Sequence, residues 1–215
     1  DVDGSDRERL TEGDGIETYP AALASGGWLA TLYADARQPQ SVAILPASGG
    51  AARVITSLPE AFPRAAHVEP VNVTLTAEDG LEFNNQLFLP PDLRPGERRP
   101  ALIFIHGGSR RQMLLGYHHR HFYHMAYAMN QYWASRGYIV LSVNYRSGIG
   151  YGKEFRNAPG RGREGNTEYR DILAAGLYLH GRDDVDPERV GLWRLSYGGI
   201  RTAQGTHRAL RHQCM

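Results

Sequence analysis

The chain has 215 residues, a formal net charge of +1, 41% hydrophobic residues and 22% charged residues. This composition is typical of a globular protein with one or two domains. The small net charge provides no electrostatic basis for binding nucleic acid or an anionic membrane. Without an apolar run of about 18 residues, no membrane-spanning helix is predicted.

Neither end of the chain indicates a targeting segment or a disulfide. Asp1 is not followed by a basic and then apolar signal segment, which predicts a start inside a longer reading frame or a processed end. Cys214 is the only cysteine, so an internal disulfide is excluded and the compartment is left open. No cofactor is expected, and the oligomeric state is not indicated.

Residues 1–66 are predicted to be β-structure. The opening segment Asp3–Gly15 is typical of a strand with turns on both sides. Further β-prone runs, separated by turn signals and spaced about ten residues apart, are Gly26–Asp35, Ser41–Ala47 and Ala52–Ser57. This spacing favours a meander such as the last blade or blades of a β-propeller, and the alternative is a small sheet attached to the next domain.

Residues 67–215 have the pattern of an α/β domain. Alternating residues on both sides of Asp79-Gly80 predict a hairpin. Continuous apolar runs, typical of strands buried on both faces, are Ala101–His106, Tyr138–Asn144 and Arg189–Trp193. Helices are predicted between them at Tyr117–Arg136 and at Asn166–Arg182, the latter capped by Asn166 or Thr167. This alternation predicts parallel crossover connections.

A serine follows the last of these apolar runs. A nucleophilic serine on a strained strand-to-helix turn requires small residues two positions before and two positions after it. Gly198 meets this requirement after Ser196, but Arg194 stands where glycine is expected before it. Ser196 is therefore the predicted nucleophile, and the alternative is a serine in an ordinary turn.

The tripeptide His106-Gly107-Gly108 ends the first apolar run. In α/β-hydrolases such a loop supplies one backbone N–H to the oxyanion hole, and the residue after the nucleophile supplies another. The predicted donors are Tyr197 and Gly108, with Gly107 as the alternative to Gly108. A plain turn at the end of a strand would explain the tripeptide equally well.

Four motifs together resemble the prolyl oligopeptidase family of serine peptidases, particularly its dipeptidyl-peptidase and acylaminoacyl-peptidase branches. They are HGGS, LSVNYRSGIGYGKEF, EYRDILAAGLYL and DVDPERVGLWRLSYGG, in that order, and the resemblance covers Val71–Ile200 apart from Arg194. It implies a partial α/β-hydrolase fold in residues 67–215, preceded by the last part of a β-propeller in residues 1–66. It also implies cleavage of short peptides by acyl transfer, with a propeller restricting access. In some relatives a tyrosine stands at the position of His106, which implies that His106 contacts the substrate.

The residues after the serine do not supply the expected partners. In α/β-hydrolases a carboxylate and then a histidine follow the nucleophile. The residues after Ser196 include His207 and His212 but no Asp or Glu, and a helix leaving the turn would carry His207 roughly 15 Å away. The chain is therefore expected to be truncated and inactive alone, and its composition after about Gln204 predicts a disrupted reading frame. Alternatives are a non-catalytic remnant, a binding-only protein or an esterase-like hydrolase.

Other polar clusters are interpreted as structural. His118, His121 and His124 have i,i+3 spacing, which favours a solvated or cleft-facing helix surface, with a metal site as the alternative. No metal site is predicted. The GIGYG segment lacks the lysine and hydroxyl pair of a P-loop, so we interpret it as a loop on the active-site side.

Overall fold

The computed structural model describes residues 5, 7–162, 166–194 and 196–199. The predictions made for residues 200–215, including those for His207 and His212, lie outside these residues. Within the described part of the chain, no helix has the length and apolar character needed to cross a bilayer.

The first sheet is an antiparallel meander. Its strands are β1 (Ile16–Ala22), β2 (Trp28–Ala34), β3 (Ser41–Pro46) and β4 (Arg53–Val54). They lie side by side in chain order, and each pairs with the next in an antiparallel register. A 3₁₀ turn at Arg64–Ala66 follows the meander. The predicted turn spacing therefore corresponds to a real four-stranded meander.

The first strand lies later in the chain than predicted. The described residues among 3–15 form no strand, and β1 begins at Ile16 instead. Pro20 obscures this strand in the sequence, because proline has no N–H to donate to a ladder. The sheet accommodates Pro20 on an edge strand, where the pairing register shifts between Thr18 and Ala21.

The second sheet is mixed and carries helices on its faces. Its strands are β5 (Val71–Thr76), β6 (Glu82–Phe88), β7 (Arg99–Ile105), β8 (Ile139–Val143) and β9 (Val185–Arg194). The helices are α1 (His121–Ser135), α2 (Gly152–Arg156) and α3 (Glu168–His180). The strand order is β5-β6-β8-β7-β9, with β7 parallel to both β8 and β9 and the hairpin β5–β6 antiparallel. The predicted hairpin and parallel crossovers are both present.

Alternation along the strands divides the core between the two faces of this sheet. Ile103 and Leu141 face one cluster, to which α3 contributes Leu179. Phe104 and Val140, each adjacent in sequence to one of these residues, face the cluster that includes residues of α1. Each of these strands is therefore covered on both faces, which explains why its sequence is a continuous apolar run.

Both long helices are shorter than predicted. α1 begins at His121 rather than near Tyr117, because the Tyr117 N–H donates to the Asp35 carbonyl at 3.0 Å instead of joining the helix. His118 therefore lies outside the helix, and the predicted His118/His121 pair on one helix face is wrong. α3 has Thr167 at its N-cap position, but the Thr167 hydroxyl donates to the Pro159 carbonyl at 2.9 Å.

Two side chains of α1 attach the meander to the second sheet. The Tyr127 hydroxyl and the Gln131 amide nitrogen both donate to the Ala36 carbonyl, at 2.9 and 3.2 Å. The same Gln131 amide accepts from Val68 N at 2.8 Å and donates to Val68 O at 2.7 Å. Gln131 is buried, so these bonds are shielded from water.

Candidate active site

Two loops with predicted catalytic roles leave neighbouring strands at the same edge of the second sheet. In the parallel pair β7–β9, Ile105 lies opposite Arg194. His106 follows the first of these residues, and the turn containing Ser196 follows the second. Crevices at the carboxyl ends of parallel strands are the usual ligand sites of open α/β sheets.

Ser196 has the backbone conformation expected of a nucleophile at a sharp turn. Its φ is +47°, in the left-handed region that is unfavourable for a residue with a side chain. Its side chain is exposed, and its carbonyl accepts the Gly199 N–H at 2.8 Å as the chain turns into a helical conformation. The conformation presents the serine hydroxyl at the strand end instead of burying it.

Gly198 allows this turn to approach strand β7 closely. A β-carbon at position 198 would collide with the carbonyl oxygen of Ile105 and lie 3.0 Å from that of His106. Because both obstacles are backbone atoms, no side-chain rotation could relieve the collision. The requirement for glycine two residues after the serine is thus explained by contact with the His106 loop.

Arg194, which departs from the expected glycine, is accommodated at the surface. Its side chain is exposed, and its guanidinium passes so close to Gly199 that a β-carbon at position 199 would collide with it. The second glycine after the serine therefore provides the space that Arg194 occupies. An arginine two residues before the serine is sterically compatible with this turn.

The ring of His106 is enclosed in the structure. It is 0% exposed, and it stacks on Tyr145 with ring centroids 4.3 Å apart. Burial lowers the pKa of His106 to about 4, so the imidazole is neutral at physiological pH. Nε2 is buried and, among the described residues, has no hydrogen-bond partner. In this conformation the His106 ring packs against Tyr145 beneath its own loop and does not face solvent.

The loop that begins with His106-Gly107-Gly108 continues to Met113, where Asn144 holds it in place. The Asn144 amide accepts from Met113 N at 2.7 Å and donates to Met113 O at 2.9 Å. The amide group thereby replaces a strand partner for one residue of the loop. Ile149 N also donates to Arg111 O at 3.1 Å, which joins this loop to the GIGYG segment.

The side chain of Tyr197, the residue after the serine, packs toward the core. The ring is partly buried against the hydrophobic cluster on the α3 face of the sheet. This leaves the backbone N–H, rather than the phenol, as the predicted oxyanion donor.

A buried ion-pair network behind the site was missed by the sequence reasoning. Arg146, which is 3% exposed, contacts Asp171 at 2.7 Å and Asp79 at 2.6 Å. The Arg146 backbone N–H also donates to Asp171 at 2.6 Å. Hydrogen bonds from Arg146 lower the pKa of Asp79 well below its usual range. The available signals in the sequence were an arginine shortly after a buried strand and an acidic residue facing inward from α3.

A second buried carboxylate holds the loop that precedes α3. Glu168 accepts from the Ser147 hydroxyl at 3.0 Å and from Gly162 N at 3.0 Å. Ser147, which precedes the GIGYG segment, has a φ of +70°, so the connection after β8 contains a left-handed non-glycine residue. Together with Arg146, the Glu168 contacts tie the GIGYG loop to the first turn of α3.

The histidines before and within α1 do not form a cluster of metal ligands. His118 and His119 stack with ring centroids 4.3 Å apart, and His118 Nδ1 accepts the Arg120 N–H at 2.9 Å. Burial lowers the pKa of His118 to about 4. In the described part of the chain, no three His, Cys, Asp or Glu side chains are placed so that they could hold a metal ion.

Comparison with known families agrees with this arrangement. The model of the prolyl oligopeptidase family matches residues 123–209, a range that contains most of α1 and all of α3, β9 and Ser196. Over this range the chain matches the prolyl oligopeptidase family. The family consists of serine peptidases, so the prediction of a serine peptidase is confirmed at the level of the family.

Individual curated proteins are similar to the chain over about two thirds of its length. The uncharacterized peptidase YuxL of Bacillus subtilis is 34% identical over 134 residues, which are 62% of this chain and 19% of that protein. Dipeptidyl peptidase 8 of Homo sapiens is 30% identical over 145 residues, which are 67% of this chain and 16% of that protein. The chain spans about a fifth of the length of these curated relatives.

Solved structures of the family share its fold. A puromycin hydrolase aligns with a TM-score of 0.71 and 28% identity, covering 89% of this chain and 28% of that one. The acylaminoacyl peptidase of Pyrococcus horikoshii aligns with a TM-score of 0.66 and 26% identity, covering 89% and 29%. These similarities confirm the predicted α/β fold at the level of the family.

Proposed function

We propose that this chain carries the nucleophile of a serine peptidase that cleaves short peptides by acyl transfer. The single observation that supports this best is the conformation of Ser196, exposed at a φ of +47° on a turn that packs against the His106 loop. An ordinary connecting turn has no need of a strained serine at the carboxyl edge of a parallel sheet.

In the proposed reaction, Ser196 Oγ forms a bond to the carbonyl carbon of the scissile peptide as its proton passes to a base. The carbonyl oxygen becomes an oxyanion, which the backbone N–H groups of Tyr197 and Gly108 stabilise. The peptide C–N bond then breaks, the amine leaves with a proton, and water hydrolyses the acyl-serine. Among the described residues we assign no base and no orienting carboxylate to this step.

Residues 1–66 are proposed to be the end of a β-propeller that limits access to short substrates. The four-stranded antiparallel meander supports this assignment, because such a sheet is the unit of a propeller blade. The names of relatives, among them dipeptidyl and acylaminoacyl peptidases, favour substrates cleaved near their amino end.

A non-catalytic remnant is the second candidate, and the sequence around Ser196 favours it. Arg194 stands where the nucleophile motif has glycine, and no base is assigned to Ser196 among the described residues. We therefore expect these 215 residues alone to show negligible turnover. An esterase-like activity is a further alternative, because the same turn supports ester hydrolysis.

The test uses the protein expressed from the whole of the gene's reading frame, with dipeptide p-nitroanilides and a p-nitrophenyl ester as substrates. We expect amide hydrolysis that falls by at least about 10³-fold in Ser196→Ala. Ser135→Ala, an exposed serine on α1, is the matched control and should retain full activity. Ester hydrolysis without amide hydrolysis would favour the esterase, and folded protein without either activity would favour the remnant.

A further inference from the structure

Two tyrosine hydroxyls from different elements bind consecutive carbonyl groups in the His106-Gly107-Gly108 loop. Tyr145, which follows β8, donates to the His106 carbonyl at 2.9 Å. Tyr123, in the first turn of α1, donates to the Gly107 carbonyl at 2.8 Å. His106 Nδ1 lies 3.2 Å from the same Gly107 oxygen.

Binding a carbonyl also orients the N–H group of the next residue. In a trans peptide the C=O and the following N–H point in opposite directions within one plane, and the described residues contain no cis peptide. The hydroxyl of Tyr123 therefore directs the Gly108 N–H away from itself, on the far side of the peptide plane. Tyr145 acts in the same way on the Gly107 N–H.

The loop needs such support because glycine restricts its backbone very little. Gly108 has a φ of +54°, and glycine populates several other conformations at similar free energy. Rotation of the Gly107–Gly108 peptide would replace the N–H donor by a carbonyl oxygen, which would repel an oxyanion. A donor that is already oriented stabilises the transition state without reorganisation.

Both tyrosines are themselves held firmly. Tyr145 is fully buried, and its ring lies nearly parallel to the ring of His106, at an interplanar angle of 17°. Tyr123 is buried, and its ring packs against His118 with a centroid distance of 5.2 Å. The hydroxyls thus project from packed side chains and offer fixed donors to the loop.

We propose that Tyr123 and Tyr145 are positioning residues that set the direction of the Gly108 and Gly107 N–H groups toward the oxyanion. This inference rests on the proposed function, because the Gly107 and Gly108 N–H groups need a fixed direction only if they bind the oxyanion of an acyl-transfer reaction. The two tyrosines also act on different residues: Tyr123 orients the Gly108 N–H, and Tyr145 orients the Gly107 N–H. This difference lets a mutational experiment separate a positioning role from a general loss of packing.

The first experiment measures the glycine amide signals of the 215-residue chain, labelled with ¹⁵N-glycine, by NMR. In Tyr123→Phe we expect the largest shift at Gly108, and in Tyr145→Phe the largest shift at Gly107. Tyr132→Phe is the matched control, because this tyrosine of α1 is 53% exposed and should move neither signal. Unchanged Gly107 and Gly108 signals in both variants, or the same shifts in the control, would overturn the proposal.

The second experiment measures hydrolysis by the protein expressed from the whole reading frame. We expect Tyr123→Phe to lower kcat by about tenfold with little change in KM, since full loss of one oxyanion donor lowers kcat by about 10²–10³-fold. Full kcat in both Tyr123→Phe and Tyr145→Phe would overturn the positioning role. A parent protein without Ser196-dependent activity would contradict the proposed function instead, and the NMR result would still decide the orientation of the loop.

Discussion

At the scale of single residues, the site depends on one unfavourable backbone conformation. A non-glycine residue in the left-handed region costs about 1–3 kcal/mol, and it persists only where its surroundings impose it. For Ser196 the surroundings are strand β9 on one side and the close contact of Gly198 with the carbonyl oxygens of Ile105 and His106 on the other. The contact that strains the serine also holds it beside the loop that would supply an oxyanion donor.

The enclosed His106 predicts a pH-dependent stability. Its folded-state pKa of about 4 is below that of an exposed histidine, so the unfolded chain takes up a proton first as the pH falls. Stability should therefore decrease from about pH 6.5 toward pH 4, and His106 should contribute about 2 kcal/mol of that loss by about pH 5. Denaturant unfolding of the parent and of His106→Gln at about pH 8 and about pH 5 measures this contribution. Equal pH dependence in the two proteins would contradict it.

At the scale of elements, a buried arginine joins three segments of the α/β domain. Arg146 follows β8, Asp171 projects from α3, and Asp79 lies in the turn of the β5–β6 hairpin. Removing one member of a buried ion pair leaves the other charge without its partner, which is far more costly than breaking a surface pair. The network therefore fixes α3 and the hairpin against the strand that leads into the GIGYG loop.

We predict that Asp171→Ala lowers the free energy of unfolding by about 3 kcal/mol. Asp186→Ala is the matched control, because its ion pair with Arg189 is open to solvent, with side chains 28% and 58% exposed, and should contribute less than about 1 kcal/mol. Urea unfolding followed by circular dichroism measures both variants. A loss for Asp171→Ala no larger than that of the control would mean that the network does not hold these elements together. The double variant Arg146→Met/Asp171→Leu should recover much of the loss, since it leaves no buried charge.

Elements with a strong local pattern could be predicted from the sequence, whereas those set by distant contacts could not. The apolar runs around Ile103 and Leu141 indicated buried strands because each strand is covered on both faces. β1 was missed, because Pro20 weakens the strand pattern. The start of α1 was misplaced, because the N–H of Tyr117 bonds to Asp35, which lies far earlier in the chain.

At the scale of the whole molecule, the meander and the α/β sheet are joined by buried polar bonds. Gln131 bridges Ala36 and Val68 with both its amide oxygen and its amide nitrogen. Each of these groups would be costly to bury without a partner, so the bonds specify one arrangement of the two sheets. This attachment supports the proposal that residues 1–66 limit access to the site.

The candidate site could be predicted only as far as its local motifs reach. Ser196, Tyr197 and Gly108 were predicted from two strands that are each followed by glycines, which is a local signal. The support from Tyr123 and Arg146 depends on pairings between residues far apart in sequence, and a local pattern can mark such residues without showing their partners. The accommodation of Arg194 against Gly199 likewise follows from the shape of the turn and not from the motif.

The central claim is that the turn after β9 presents Ser196 as the nucleophile of a serine peptidase. The most direct test treats the protein expressed from the whole reading frame with a fluorophosphonate probe and identifies the modified residue by mass spectrometry. We predict one phosphonylated serine, Ser196, with labelling lost in Ser196→Ala and retained in Ser135→Ala. Labelling of a different serine, or folded protein that takes up no probe, would contradict the claim.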